Sequence, residues 1–193
     1  MGQVVGDGSD RRAVVFLDRD GVINRNRDGD YVRTPDDFEF LPGALEGLAR
    51  LKQAGCTVIV VSNQAGVGRG LVSLEDLERI DEKMLQGISA HGGEVSLICY
   101  CTHRKDEGCL CRKPQTGLLT KASQDLGVPL RGSYFVGDAE SDVLAGFRAG
   151  CKTILVLTGR TDASEIESWE RKPDFVAEDL PAAVEWILAQ NAD

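Results

Sequence analysis

The chain predicts an α/β fold: a single Rossmann-like three-layer sandwich on a central parallel sheet, with no large cap domain. Short apolar runs alternate along it with segments of helical periodicity, the order of repeated strand–helix units. The run Thr57-Val58-Ile59-Val60-Val61 is β-branched and apolar throughout, as a strand buried on both faces must be. Residues able to do chemistry stand where the apolar runs end, which in open α/β sheets is the edge that binds ligands.

The elements follow in order. Residues 13–17 form a first strand that gives way to Asp18-Arg19-Asp20-Gly21. Leu41-Pro42-Gly43 precedes a helix over 44–54, with Leu45, Leu48, Ala49 and Leu51 at helical spacing, and Gly55 stops it as a glycine just past a helix end does. A second strand over 57–61 leads into a Gly-rich loop over 62–71. Ser73, with Asp76 three residues on, reads as an N-cap with an acidic first turn and opens a helix to about residue 90. The third strand, 95–100, runs into a cysteine-rich loop, followed by a helix over 116–126. Strands at 134–136 and 153–157 flank a helix at 141–149, and a short strand at 175–176 precedes a last helix at 180–189. The gaps between strands are too short to hold a large second domain.

Asp and Glu number 31 against 22 Lys and Arg, a net charge of −9, which argues against nucleic acid or an anionic membrane surface as partner. No apolar stretch is long enough to span a bilayer. Residues 1–12 are Gly- and Asp-rich without the apolar core of a signal peptide, so they are expected to be a disordered leader to a domain over 13–193. The expected location is cytoplasmic, the expected state monomeric, and the expected partner a small molecule.

Asp18 and Asp20 stand one residue apart at a strand end. Residues i and i+2 of a strand share a side, so both carboxylates are expected to face one cleft. There they repel unless a cation, a proton or a division of labour separates them. Ser62-Asn63-Gln64 ends the second strand, Gly137-Asp138 the fourth with Asp142 close behind, and the cysteine loop ends in Arg112-Lys113-Pro114. Each of these alone is ordinary turn or surface chemistry; their coincidence at several strand ends is not. Asp18 and Asp138 offer Mg²⁺ the hard oxygens it prefers. Asp18 can attack phosphorus, Asp20 can carry a proton to the leaving oxygen and then from water, and Ser62 and Lys113 can stabilise the phosphoryl charge. Asp142 would ligate metal through water or orient Lys113.

These residues resemble the four motifs of the haloacid dehalogenase superfamily of phosphotransferases: Asp18-Arg19-Asp20-Gly21-Val22, Ser62, Lys113, and Gly137-Asp138 with Asp142. The likeness spans about residues 13–190 and is to members without a large cap. It implies Asp18 as nucleophile, Asp20 as acid/base, and Mg²⁺ on Asp18, the Asp20 main-chain carbonyl and Asp138.

Of the six cysteines, four lie between positions 99 and 111, a cluster that in a cytosolic protein reads as metal binding rather than disulfide. Cys56 and Cys151 begin apolar runs and read as inert core thiols. Cys101-Thr102-His103 and Cys109-Leu110-Cys111-Arg112-Lys113-Pro114 resemble the branch of the superfamily that holds the heptose bisphosphate phosphatases and the histidinol-phosphate phosphatases. That branch carries a structural zinc, which implies Cys101, His103, Cys109 and Cys111 as a closed tetrahedral Zn²⁺ set in the loop 101–111. Cys99 is the rival of Cys101; it is expected to face away and is left out.

Within the branch, Tyr31-Val32, Asp37-Phe38-Glu39-Phe40-Leu41-Pro42-Gly43, the segment 62–70 and Gly117 look more like the heptose enzymes, whose pathways include lipopolysaccharide biosynthesis. A bisphosphate needs a second anion site, and Arg112, a bidentate phosphate binder by geometry, is its candidate. Asn63 and Gln64 are expected to contact sugar hydroxyls, and the loop 25–31, with Asp28 and Tyr31, to close over the substrate. Ala139 departs from the branch, which often has lysine there. The rival readings are a histidinol-phosphate phosphatase, a zinc-stabilised sugar-phosphate-binding protein with a dead site, and a phosphomutase. Intact Asp18, Asp20, Lys113 and Asp138 argue against the dead site, and the short gaps argue against the cap a mutase needs.

Overall fold

The computed structural model describes residues 13–27 and 29–191; the expected leader 1–12 and the candidate contact Asp28 lie outside the described residues. The strands are β1 (Val14–Leu17), β2 (Thr57–Asn63), β3 (Leu97–Cys101), β4 (Tyr134–Gly137), β5 (Lys152–Val156) and β6 (Phe175–Ala177). The helices are α1 (Ala44–Gln53), α2 (Ala65–Gly68), α3 (Leu74–Ala90), α4 (Gly117–Leu126), α5 (Glu140–Ala149) and α6 (Leu180–Ala189). The strands form one six-stranded sheet in the order β3-β2-β1-β4-β5-β6, with every pairing parallel.

Alternation along β1 divides the core. Val15 and Leu17 join Leu48 and Leu51 of α1, Ile80, Met84 and Ile88 of α3 and Val184 and Ile187 of α6. Val14 and Phe16 face the other way, onto Leu118, Leu119 and Ala122 of α4 and Ala145 of α5. These are the expected three layers, and each such large apolar side chain taken fully out of water contributes roughly 1.5–3 kcal/mol. Ser73 Oγ accepts from the Asp76 backbone N–H at 2.9 Å, the cap read from the sequence.

The segment read as a loop over 62–71 differs in two ways. β2 continues through Ser62 and Asn63, because Asn63 still has Cys101 of β3 as its register partner. Residues 65–68 then coil into the single turn α2. Two glycines let that turn pack tightly. A Cβ on Gly66 would lie 3.0 Å from Cγ of Tyr31, and one on Gly68 would lie 2.4 Å from the carbonyl oxygen of Thr102.

The sheet order places β1 beside β4 at its centre. From β1 the chain proceeds outward through β2 and β3, and from β4 outward through β5 and β6. Connections leaving the carboxyl ends of β1 and β4 therefore diverge, which opens a crevice at this switch point.

Candidate active site

Asp18 is the first residue beyond β1, fixed there by its N–H donating to the Val136 carbonyl of β4 at 2.9 Å. Asp20 shares its cleft, but not through strand pleating, because β1 has already ended at Leu17. The chain instead turns sharply: the N–H groups of Ile23 and Asn24 both donate to the Arg19 carbonyl, at 2.8 and 3.1 Å. Gly21 makes the turn at φ +84°, and a Cβ there would stand 2.3 Å from Asp138 Oδ2. Asp18, Asp20, Tyr31, Ser62, Asn63, Arg112, Lys113, Asp138 and Asp142 all line a cleft of about 540 Å³.

Lys113 is the buried cation that lines the cleft beside Asp18. Its Nζ lies 3.0 Å from Asp18 Oδ2 and 2.8 Å from Asp142 Oδ1, and it donates to the Val61 carbonyl at 2.9 Å. Asp142 thus orients Lys113, while its other oxygen accepts from the N–H groups of Asp138 (3.2 Å) and Ala139 (3.1 Å) at the start of α5. Asp138 Oδ2 accepts from Asn26 Nδ2 at 2.8 Å and from the Arg160 N–H at 3.0 Å. Asp20 receives Asn24 Nδ2 (2.9 Å) on one oxygen and Gln64 Nε2 (2.7 Å) on the other, and Arg19 Nη2 sits 3.0 and 3.2 Å from the two.

The electrostatics divide the carboxylates. Burial, offset only in part by Lys113, pushes Asp18 up to about 6. Burial together with the charges of Asp142 and Asp18 pushes Asp138 up to about 7. Burial would raise Asp20 too, but the Arg19 guanidinium and the bonds from Asn24 and Gln64 outweigh it and hold Asp20 below the usual carboxylate range. Oxygens of Asp18, Asp138 and Asp142 lie within 4.8 Å of one another. Buried carboxylate oxygens crowded this closely fit a hard divalent cation.

A second cluster stands behind Arg112 and Lys113. Cys111 Sγ lies 3.2 Å from Cys101 Sγ and 3.4 Å from Cys109 Sγ, with 3.6 Å between the last two. His103 Nδ1 is 3.6 Å from Cys101 Sγ and 3.2 Å from Cys111 Sγ. Zn–S bonds of about 2.3 Å imply sulfur edges of about 3.8 Å in a tetrahedron; the observed separations approach that figure and are far above a disulfide bond. All six cysteines are free thiols. Burial raises the Cys101 thiol to about 12, so a ligand role for it requires a metal to displace the proton. Cys99 is outside the cluster, but not because it faces away. Two residues apart on β3, Cys99 and Cys101 share a face and one core cluster; Cys99 simply sits a full strand repeat further from the loop.

Other expected contacts are placed differently. Gln64 is buried and is not among the residues lining the cleft; its amide serves Asp20 and Ser62 Oγ, the latter at 3.2 Å. Asn63 does line the cleft, but its amide clamps the Lys113 backbone, accepting the N–H at 3.1 Å and donating to the carbonyl at 3.2 Å. Arg112 donates to the His103 carbonyl at 3.4 Å, and Tyr31 lies under Arg69 at 6.0 Å. Sequence reasoning missed Asn26, Arg19 and the segment after β5. There Thr158 Oγ1 donates to the Gly21 carbonyl and Thr161 Oγ1 to the Asp138 carbonyl, each at 2.7 Å. A Cβ on Gly159 would lie 2.0 Å from Asp138 Oδ2. Its position just past a strand's carboxyl end was the available signal.

Residues 110–183 match the model of the family described as "HAD-hyrolase-like". A D-glycero-beta-D-manno-heptose-1,7-bisphosphate 7-phosphatase of Pseudomonas aeruginosa is 44% identical over 149 residues, covering 77% of this chain and 83% of that protein. The chain belongs to the haloacid dehalogenase-like phosphatases. The phosphatase of the same name from Pseudomonas putida is 37% identical, covering 91% and 99%. Among solved structures, the family's D,D-heptose 1,7-bisphosphate phosphatase from Bordetella bronchiseptica, complexed with magnesium and phosphate, superposes with a TM-score of 0.85 at 38% identity, covering 92% of this chain and 99% of that one. No helix among the described residues of this phosphatase is long and apolar enough to cross a membrane.

Proposed function

We propose that this phosphatase removes one phosphate from a small phosphorylated sugar, the 7-phosphate of D-glycero-D-manno-heptose 1,7-bisphosphate, through a phosphoryl group carried on Asp18. The carrying observation is the buried Lys113 shared by Asp18 and Asp142 beside Asp138, at the switch point of the sheet. The relatives' names support the substrate, and Arg112 on the cleft wall suits its second phosphate.

Asp18, Asp138 and the Asp20 main-chain carbonyl would hold Mg²⁺, which neutralises phosphoryl charge so that an anionic nucleophile can approach. A carboxylate oxygen of Asp18 bonds to phosphorus as the bond from phosphorus to the sugar oxygen breaks. That oxygen takes the electron pair and a proton from Asp20. Asp20 is ionised in the free site, and a phosphate dianion beside it favours the protonated form needed here. In the second half a water oxygen bonds to phosphorus, its proton passes to Asp20, and Asp18 leaves. Ser62 and Lys113 donate to the phosphoryl oxygens throughout. A structural Zn²⁺ on Cys101, His103, Cys109 and Cys111 would fix the loop that presents Arg112 and Lys113.

The test is phosphate release, with Mg²⁺, from both anomers of heptose bisphosphate, histidinol phosphate and fructose bisphosphate. A preference for either heptose anomer is expected, together with loss of turnover in Asp18→Asn. Faster release from histidinol phosphate would refute the substrate, and near-normal turnover in Asp18→Asn would refute the nucleophile.

A further inference from the structure

Arg19 stands between the two carboxylates of the site, yet it is not among the residues lining the cleft and its relative exposure is 0%. It therefore cannot touch a substrate held there. Its Nε and Nη1 have no hydrogen-bond acceptor among the described residues. A guanidinium buried with idle donors is costly and is kept only where its remaining contacts matter. Those contacts are few and specific. Nη2 spans both oxygens of Asp20, at 3.0 and 3.2 Å, while Asn24 and Gln64 take one oxygen each. Behind it, the guanidinium carbon lies 5.6 Å from the ring centroid of Tyr100 on β3. Tyr100 Oη in turn donates to Asp81 Oδ1 of α3 at 2.5 Å.

We propose that Arg19 is the positioning residue of Asp20: backed by Tyr100 and Asp81, it fixes the plane and aim of the carboxyl that delivers the proton to the leaving oxygen. The middle residue of the Asp-Arg-Asp motif thereby acts through its neighbour, from inside the core. This rests on the reading of Asp18 as nucleophile and Asp20 as proton carrier.

Leaving-group chemistry separates this role from a merely structural one. An aryl ester such as p-nitrophenyl phosphate departs as a stable anion and gains little from an aimed acid, whereas a sugar ester needs the proton. The readout is kcat/KM, which reports only steps through the first phosphoryl transfer. It is measured on p-nitrophenyl phosphate and on whichever sugar phosphate the wild type turns over fastest, for wild type, Arg19→Lys and Tyr100→Phe. In Arg19→Lys the loss on the sugar ester should exceed the loss on the aryl ester by about ten-fold or more, within the range general acid catalysis supplies. Tyr100→Phe should show the same bias at about three-fold, and it decides alone if Arg19→Lys does not fold. Equal losses on both esters would overturn the inference. Wild-type failure on both esters would instead overturn the underlying reading.

Discussion

Replacing Lys113 by Met tests the electrostatic frame of the site. The Lys113 side chain is 1% exposed and lies within ion-pair distance of Asp18 and Asp142. Met preserves the unbranched stem and removes the charge, leaving both carboxylates facing Asp138 with no cation between them. Removing one partner of a buried pair costs about 3–5 kcal/mol, because the surviving charge stays desolvated. For a domain of this size each kcal/mol lowers Tm by roughly 2–4 °C, so the variant should melt about 6–20 °C below the wild type. The loss should be smaller at pH 5.5 than at pH 8, because Asp18 already titrates near 6 and its neutral form does not need the lysine. Phosphate release should fall by about a hundred- to a thousand-fold, as when one preorganised donor is removed from a developing charge. Denaturant melts at the two pH values, with phosphate release alongside, make the assay. A stability loss under about 1 kcal/mol that does not vary with pH would refute the reasoning.

Metal chemistry gives the remaining predictions. The protein should carry one zinc per chain when purified under reducing conditions, and Cys109→Ser should lower that content on elemental analysis; a zinc-free wild type would sink the clip. Asp18 and Asp138 have folded values raised to about 6 and about 7, so the folded metal-free protein binds more protons than the unfolded chain over that interval. Their contribution is complete below about pH 4 and is lost as pH rises through 6–7, so metal-free stability should fall across that range. Added Mg²⁺ should reverse the fall, with a Tm increment larger at pH 8 than at pH 5.5; an increment independent of pH would contradict it.

The layer order and the strand-end chemistry were legible because both rest on local signals. The apolar runs at 13–17 and 57–61 read as buried strands, and Asp18, Ser62 and Asp138 stand where such runs stop, while Lys113 was found through the motif that ends the cysteine loop. What escaped depends on contacts between distant segments. Nothing in Asn26 announces that its amide will rest on Asp138, 112 residues away. Asn63 and Gln64 look like substrate contacts in a one-dimensional reading, since both are polar and follow a strand. Only packing shows their amides already committed to Lys113 and Asp20. Arg19 was hidden for a related reason: a charged residue in a turn reads as solvated, and only the fold brings Tyr100, on a strand two places across the sheet, to its guanidinium.

The turn α2 has a consequence for how this scaffold can diversify. Its two glycine faces press on Tyr31 at one side and on Thr102 at the other. Tyr31 on the cleft wall and the cysteine-bearing loop that begins at Cys101 thus share one spacer, whose thickness is set by two absent methyl groups. A methyl added on either face would displace the wall it meets and, through α2, bear on the opposite loop. New substrate preferences should therefore arise in rim side chains such as Arg69 and Arg112, while the backbone between the loops stays unchanged.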